Sequence, residues 1–425
     1  IYPLGVNQAA LANFERLEIL LGAKIGTLTT AGIGPLVLAS IFLQLAVGAG
    51  LLKMDLSKPE NKKRFQGIQK ILGIILSFAE GAIYVLSGYV GVDAANPLFG
   101  SIFLTQLFVI FQLALGSIIL LYLDEVCQKY GIGSGISLFI AAGVSAAIFI
   151  GSFSIAKTGE VFAGLIPRAI QAASTGALDQ ALWFLPPLIF TVVVFLVTVY
   201  AEGMKIELPL SYGMARGIGA RYPIKFLYVS NIPVILAVAV MLNIQLVGAA
   251  LASKGINFLG EFAGGQPIPG NTFAYLTTPP ISPISLGGNY QAYLQYILTS
   301  QEMLHMLVYG IVLVVLCVIF GWFWIESTNM DAKSVAGQLE KSGLQIPGFR
   351  SDPRVIEGVL SRYIPIITVL GSIFVGILAW FADITGALGT GTGILLTVGI
   401  VYKFYEELAQ QQLFDMYPGL RKIVA

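Results

Sequence analysis

The sequence predicts an all-α, polytopic membrane helix bundle. Three observations carry that prediction: the composition, the lengths of the apolar runs, and a glycine motif that recurs near the two ends of the chain. Of 425 residues, 56% are hydrophobic and only 11% charged, with mean hydropathy +0.83. Soluble domains carry about 25% charged residues, so less than half the usual solvating charge is present. The net charge of +1 says little about partners, because the distribution of charge matters more than its sum.

A bilayer core about 30 Å thick needs about 20 apolar residues per crossing. Nine stretches meet that need in chain order: 25–49, 68–90, 101–123, 134–156, 182–202, 226–248, 303–326, 363–382 and 386–407. If 50–66 is cytoplasmic, so are 124–133, 203–225, 327–362 and the C-terminal tail, and nineteen of the 24 Lys+Arg fall on that side. Only Arg16, Lys24, Lys157, Arg168 and Lys254 lie outside. Loop lengths on the two sides are similar, so the positive-inside bias sets the orientation. An odd number of spans places Ile1 outside. Residues 1–24 lack the basic start and continuous apolar core of a signal peptide, and the expectation is that one further span precedes them.

The first span is predicted to be broken. In "TTAGIGPLVLAS" (29–40), Pro35 cannot donate to a helix ladder, so the true crossing begins after Gly32. The fourth and ninth spans are entered through alternating glycines, "YGIGSGISLFIAAG" (130–143) and "GTGTGILLTVGI" (389–400). A phosphate cradle would need a preceding strand and wider glycine spacing, and neither is present. Close helix packing through small residues remains open as a partial explanation. Broken spans with a similar feature in each half point to two pseudo-symmetric, inverted halves, as in secondary transporters. A solute transporter would place polar groups beside the breaks, with Glu80 serving a proton-coupled one. Here the residues that follow are Ile33, Val37, Ile136, Ile140, Ile394 and Leu396. An aliphatic waist suits a central pore closed by dewetting, or a gasket around a large substrate.

Other chemistry is thinly represented. Cys127 and Cys317 have neither metal nor redox spacing, and the single histidine, His305, fits a packing or interface residue. Paired carboxylates are missing from the spans, which argues against an intramembrane enzyme, and no cofactor is implied. Glu80 lies near the middle of the second span, where a carboxyl group is costly and marks either a functional site or a hydrogen-bonded interior residue.

The segments "KIGTLTTAGIGPLV", "MDLSKPENKKRFQGIQK", "SIILLYLDE", "KYGIGSGISLFIAAGV", "YPIKFLYVSNIPVIL", "GFR" (348–350) and "GTGTGILLTV" resemble the SecY family of protein-translocase channels, in wording closest to its archaeal branch. The resemblance extends over nearly the whole chain. It implies ten spans in two halves of five, here divided as 1–160 and 161–425 with the first half one helix short. It implies a pore ring of Ile33, Val37, Ile136, Ile140, Ile235 and Leu396, with Ile232 one turn before Ile235. Bulky aliphatics offer nothing to replace an ion's water, yet can yield around a passing chain.

The same resemblance places a plug helix over about 12–23, "ANFERLEILLGA", with Phe14, Leu17, Leu20 and Leu21 on one face. Without it, that segment reads as an ordinary amphipathic interfacial helix. A lateral gate is implied between the span after Gly34 and the span 226–248, with Glu80 and Asn231 as its polar members. The basic loops 203–225 and 327–362 are implied to receive the ribosome through Lys205, Arg216, Arg221, Lys225 and Arg350. Topology alone could also account for that charge. The implied partners are small membrane subunits of the SecE/gamma and archaeal beta types, the ribosome, secretory and membrane-protein nascent chains, and the lipid of the cell membrane. The implied function is passive conduction of unfolded polypeptides, without catalysis.

Overall fold

The structure, a computed structural model, describes residues 3–6, 27–48, 51–52, 54, 59–86, 88, 90–93, 97–98, 100–131, 133–158, 161–212, 219–263, 266–270, 272–283, 286, 288–341, 344–345 and 353–416. The plug segment with Phe14, Leu17, Leu20 and Leu21, and the loop residues Arg216 and Arg350, lie outside the described residues.

Turns over 27–33 lead into α1 (Gly34–Gly48), followed by α2 (Pro59–Leu86), α3 (Ile102–Tyr130) and α4 (Gly135–Phe153). A short pair, β1 (Lys157–Thr158) and β2 (Val161–Phe162), precedes α5 (Leu165–Ser174) and α6 (Leu178–Leu182). Next come α7 (Pro186–Gly203), the hairpin β3 (Lys205–Tyr212) and β4 (Gly219–Lys225), and α8 (Ile232–Ala252). The pair β5 (Phe262–Ala263) and β6 (Gln266–Pro267), with α9 (Phe273–Leu276) and α10 (Tyr290–Ile297), leads to α11 (Ser300–Ser327). The chain continues through α12 (Ala332–Lys341), β7 (Leu344–Gln345), α13 (Pro353–Ile384) and α14 (Gly391–Met416).

Among the described residues, seven helical segments are long and apolar enough to cross a bilayer: 63–86, 102–130, 135–153, 178–203, 232–252, 300–340 and 354–384. Two of the nine predicted crossings are less simple. With 15 residues, α1 is about 22 Å long at 1.5 Å per residue, short of the bilayer core. Its Pro35 does not interrupt the helix but starts it, in the first turn, where the missing N–H would have had no partner. The apolar run of α14 gives way to Lys403, Glu406 and Glu407 within the same helix.

Two further expectations need correction. The stretch 226–231 is bends and turns rather than the start of a span; Asn231 occupies the N-cap position and Pro233 the first turn of α8. The predicted loop 203–225 holds a β-hairpin, antiparallel from Lys205↔Lys225 to Ser211↔Gly219, which β7 extends at Ser211↔Gln345 and Tyr212↔Leu344. Period-2 alternation in "KIELPLSY" and "GARYPIK" is the signal for it, but each run is short. The fold is thus a helix bundle that carries a three-stranded sheet between its long helices, besides the two short strand pairs.

The largest core cluster joins α1, α7, α8, α11, α13 and α14 through residues such as Leu38, Val194, Ala237, Leu313, Ala379 and Leu395. A second cluster seats the hairpin on the bundle, with Ile224 beneath Val335, Leu339, Leu360 and Ile364. Beside it, Tyr228 donates to the Met330 carbonyl (2.9 Å), and burial pushes the pKa of its hydroxyl up.

At the opposite end of the bundle, His305 joins α11 to the segment around α9. Its Nδ1 lies 3.1 Å from Glu302 Oε2, and its Nε2 donates to the Thr278 carbonyl at 2.8 Å. Tyr275 donates to Glu302 Oε1 at 2.5 Å and its ring lies over the imidazole, with centroids 4.4 Å apart. Glu302 is 5% exposed and His305 2%. Leaving a buried polar group without its hydrogen-bond partner costs about 1–3 kcal/mol. His305→Ala is therefore expected to lower the thermal midpoint in detergent by several degrees. A midpoint equal to wild type would show that these bonds do not stabilise the fold.

Candidate functional site at the bundle waist

The site begins with the glycines. The chain leaves α3 at Tyr130, reverses through Gly133 at φ +73° and enters α4 at Gly135. It leaves α13 at Ile384, reverses through Gly389 at φ +80° and enters α14 at Gly391. Positive φ is open to glycine at no steric cost, and tight packing demands it as well. A Cβ on Gly135 would lie 2.9 Å from the Asp124 Cα, and one on Gly393 would lie 3.0 Å from the Val144 side chain. Both readings of the motif therefore hold together: the glycines turn the chain and let α4 and α14 lie against each other.

The six aliphatics predicted from sequence fall into one apolar cluster. Ile33, Ile140 and Leu396 are buried in it with Leu120 and Val144, and Val37, Ile136, Ile235, Phe139, Ile148 and Ile400 pack around them. They come from four places in the chain: the turn before α1 and α1 itself, α4, α8, and α14. Ile232 packs instead against the larger core cluster. Beside the waist lies a cavity of about 40 Å³, lined by Ile33, Val37, Ile140, Ile235 and Leu396 together with Glu80 and Asn243. A single water needs about 10–15 Å³ on such a measure, so the space admits a few waters at most and no hydrated ion. The six aliphatic side chains pack against one another there.

Polar groups at the waist are sparse. Glu80 of α2 is 4% exposed, and its Oε1 has no hydrogen-bond partner among the described residues. Asn243 of α8 lines the same cavity and donates to the Ala239 carbonyl at 2.8 Å. Sequence reasoning missed Asn243, although an amide side chain inside an apolar helix, here followed two residues later by Gln245, is a signal worth testing for function. Asn231, the other polar residue that the resemblance places at a lateral gate, bonds to α14. Its Nδ2 donates to the Leu395 carbonyl of α14 at 2.6 Å, and Gly399 leaves room for it there.

The basic residues divide as well. Lys205 is exposed at the start of β3, 3.4 Å from Glu207. Arg221 lies in β4 opposite Pro209. Lys225 is engaged within the protein, 2.8 Å from Glu406 Oε1 and 2.9 Å from Oε2, with its ammonium 4.9 Å from the Tyr402 ring centroid.

This architecture defines a multi-pass membrane protein with an aliphatic waist at the meeting point of its helices. The chain belongs to the SecY family, whose model matches residues 27–405. It is 44% identical over 426 residues to the protein translocase subunit SecY of Methanocaldococcus jannaschii, covering all of this chain and 89% of that one. A solved structure described as that of a protein conducting channel is similar at TM-score 0.80 and 44% identity, over 97% of this chain and 89% of that one. Sec61 in the canine ribosome-channel complex from the endoplasmic reticulum is similar at TM-score 0.77 and 43% identity, again over 97% and 89%.

Proposed function

We propose that this chain is a protein-conducting channel that passes unfolded polypeptides across the cell membrane and releases apolar segments sideways into lipid. It moves polypeptide without covalent chemistry, so it is not an enzyme. One observation carries the reading: six aliphatic side chains from four places in the chain meet in a single cluster. In this reading they are the pore ring, while Glu80 and Asn243 lie where α1, α2 and α8 part to form the lateral gate. Residues 12–23 are the plug, and 1–160 and 161–425 are the two halves. Similarity to a translocase subunit and to a protein conducting channel supports the function. The discriminating experiment is reconstitution in vesicles with either a secretory chain or small solutes. Protection of the secretory chain from added protease is expected, and solute uptake without it would sink the reading.

In the same reading the β3–β4 hairpin and the segment before α13 face the cytoplasm with the C-terminus and receive the ribosome, as similarity to Sec61 of the canine ribosome-channel complex suggests. Small subunits of the SecE/gamma and beta types cover part of the lipid-facing surface. Lys205, Arg216, Arg221 and Arg350 are the contacts, whereas Lys225 is occupied by Glu406. Neutralising Arg216, Arg221 and Arg350 should weaken ribosome binding and flatten its salt dependence by a slope of about 0.7–0.9 per lost phosphate contact. Arg350→Lys keeps the charge and loses the planar fork, so a weaker complex there would indicate specific recognition. Unchanged affinity and slope in all these variants would leave only a topological role for the charge.

A further inference from the structure

We infer that Asp124 and Asp383 are positioning residues for the seal: each is a carboxylate clasp that fixes the start of a ring-bearing helix. This rests on the reading of the six aliphatic residues as the pore ring. The two aspartates occupy matching places. Asp124 lies in the last turns of α3, and its Oδ1 accepts from the backbone N–H of Ile136 at 2.9 Å, across 12 residues of chain. Asp383 lies in the last turn of α13, and its Oδ1 accepts from the backbone N–H of Gly391 at 2.9 Å, across 8 residues. Both are buried, at 9% and 8% exposure.

Helix N-termini are ordinarily capped from the residue just before them. At α4 the local candidate does not do so: Ser134, at the N-cap position, makes no side-chain cap and instead donates to Asp124 Oδ1 at 3.1 Å. At α14 the local Thr390 Oγ1 does accept from the Gly393 N–H at 3.1 Å, and Asp383 adds a second bond at the earlier Gly391 amide. The carboxylate is drawn from the preceding helix, so each bond closes a helix–glycine–helix hairpin across its own turn. Further hydrogen bonds hold the clasps in place. Gln128 donates to Asp124 Oδ2 at 2.7 Å, and Tyr309 of α11 donates to Asp383 Oδ2 at 2.8 Å. A hydrogen bond to an ionised acceptor is about twice as strong as a neutral one, and a helix N-terminus carries roughly half a positive charge that favours an anion there.

The consequence for the seal is geometric. Ile136 is both a ring residue and the residue whose amide is held. Leu396 lies one and a half turns beyond the held Gly391, on a helix packed directly against α4. Aliphatic packing alone is non-directional and would let either helix slide by a fraction of a turn. A charged hydrogen bond at the helix start sets its height and rotation, and so brings side chains approaching from opposite ends of the bundle to one level. The glycines allow the turn, and the aspartates fix where it ends.

The test uses the complete translocase complex in lipid vesicles and reads resting ion leakage. Asp124→Ala and Asp383→Ala are expected to leak about tenfold more than wild type, the effect of about 1.4 kcal/mol on the barrier. Asp124→Asn and Asp383→Asn, which keep an acceptor oxygen, should restore most of the seal. A purely structural role is separated by Leu360→Ala, a core truncation among the hairpin-side residues, which should lower the thermal midpoint without leakage. The inference is overturned if the alanine variants leak no more than Leu360→Ala while Ile136→Gly does leak. If Ile136→Gly does not leak either, the ring reading fails, and amide hydrogen exchange at Ile136 and Gly391 then decides the clasp. Faster exchange in the alanine variants supports it, and unchanged exchange overturns it. Should the alanine variants not fold, Asp124→Glu and Asp383→Glu shift each carboxylate by one methylene, and wild-type leakage and exchange in both would equally overturn it.

Discussion

Replacing Ile136 and Ile235 together by glycine is expected to raise ion leakage through the resting channel by about tenfold or more while leaving polypeptide passage intact. The two side chains come from α4 and α8 and pack on the same cluster. An ion crossing a closed aliphatic ring sheds water that the ring cannot replace, and even a neutral polar group left without a partner costs roughly 2–7 kcal/mol. Lowering that barrier by only ~1.4 kcal/mol speeds crossing tenfold. Two opposed side chains replaced by hydrogen leave room for water, so the effect should exceed that of either single variant. Conductance of vesicles carrying each variant checks this, and a double variant as tight as wild type would mean that the seal lies elsewhere.

Gly116→Ala should be among the most damaging single-methyl additions to this protein. A Cβ there would overlap the Leu28 carbonyl oxygen and lie 3.2 Å from the Thr29 nitrogen. Both are backbone atoms of the turn that leads to Ile33, so no side-chain rotation can relieve the clash. Overpacking costs about 1–3 kcal/mol, and the displacement passes along the turn to a ring residue. The expected result is a lower thermal midpoint together with a leak. Gly67→Ala is the matched control: it sits in α2 with nothing within 4 Å of an added methyl group. There the better helix propensity of alanine, about 1 kcal/mol, should leave the midpoint unchanged or raise it. Equal behaviour of the two variants would contradict the packing argument.

What was legible in the sequence was whatever has a period or a strong composition. The spans follow from run length, and the glycine hairpins from residues that almost nothing else can replace at positive φ, as at Gly133 and Gly389. The cluster of Ile33, Ile136, Ile235 and Leu396 came from family resemblance, since period alone does not separate a waist-facing isoleucine from a lipid-facing one. The carboxylate bonds were hidden because each joins residues separated by a turn of unusual length. Asp124 and Asp383 look in sequence like ordinary acids at span ends. The hydrogen-bond partner of Asn231 was not legible because a polar residue at a helix start fits any adjoining helix; only the folded chain reveals the Leu395 carbonyl. The β-hairpin was missed because its strands are single short runs of alternation, and the third strand, β7, contributes only two residues from more than a hundred positions further along the chain.

The end of that hairpin and the start of α8 that follows it are stitched to α14 at two points, Lys225 to Glu406 and Asn231 to Leu395. At 1.5 Å per residue the two points are about 16 Å apart along the helix. They differ in strength. The Lys225 and Glu406 side chains are each 39% exposed, and an exposed ion pair contributes about 0–1 kcal/mol. Asn231 is 3% exposed, and leaving a buried polar group without its partner costs about 1–3 kcal/mol. Under load the outer stitch slips first and the inner one holds. A push on the hairpin would therefore reach α14 through two bonds of unequal strength, the stronger of them one residue from Leu396.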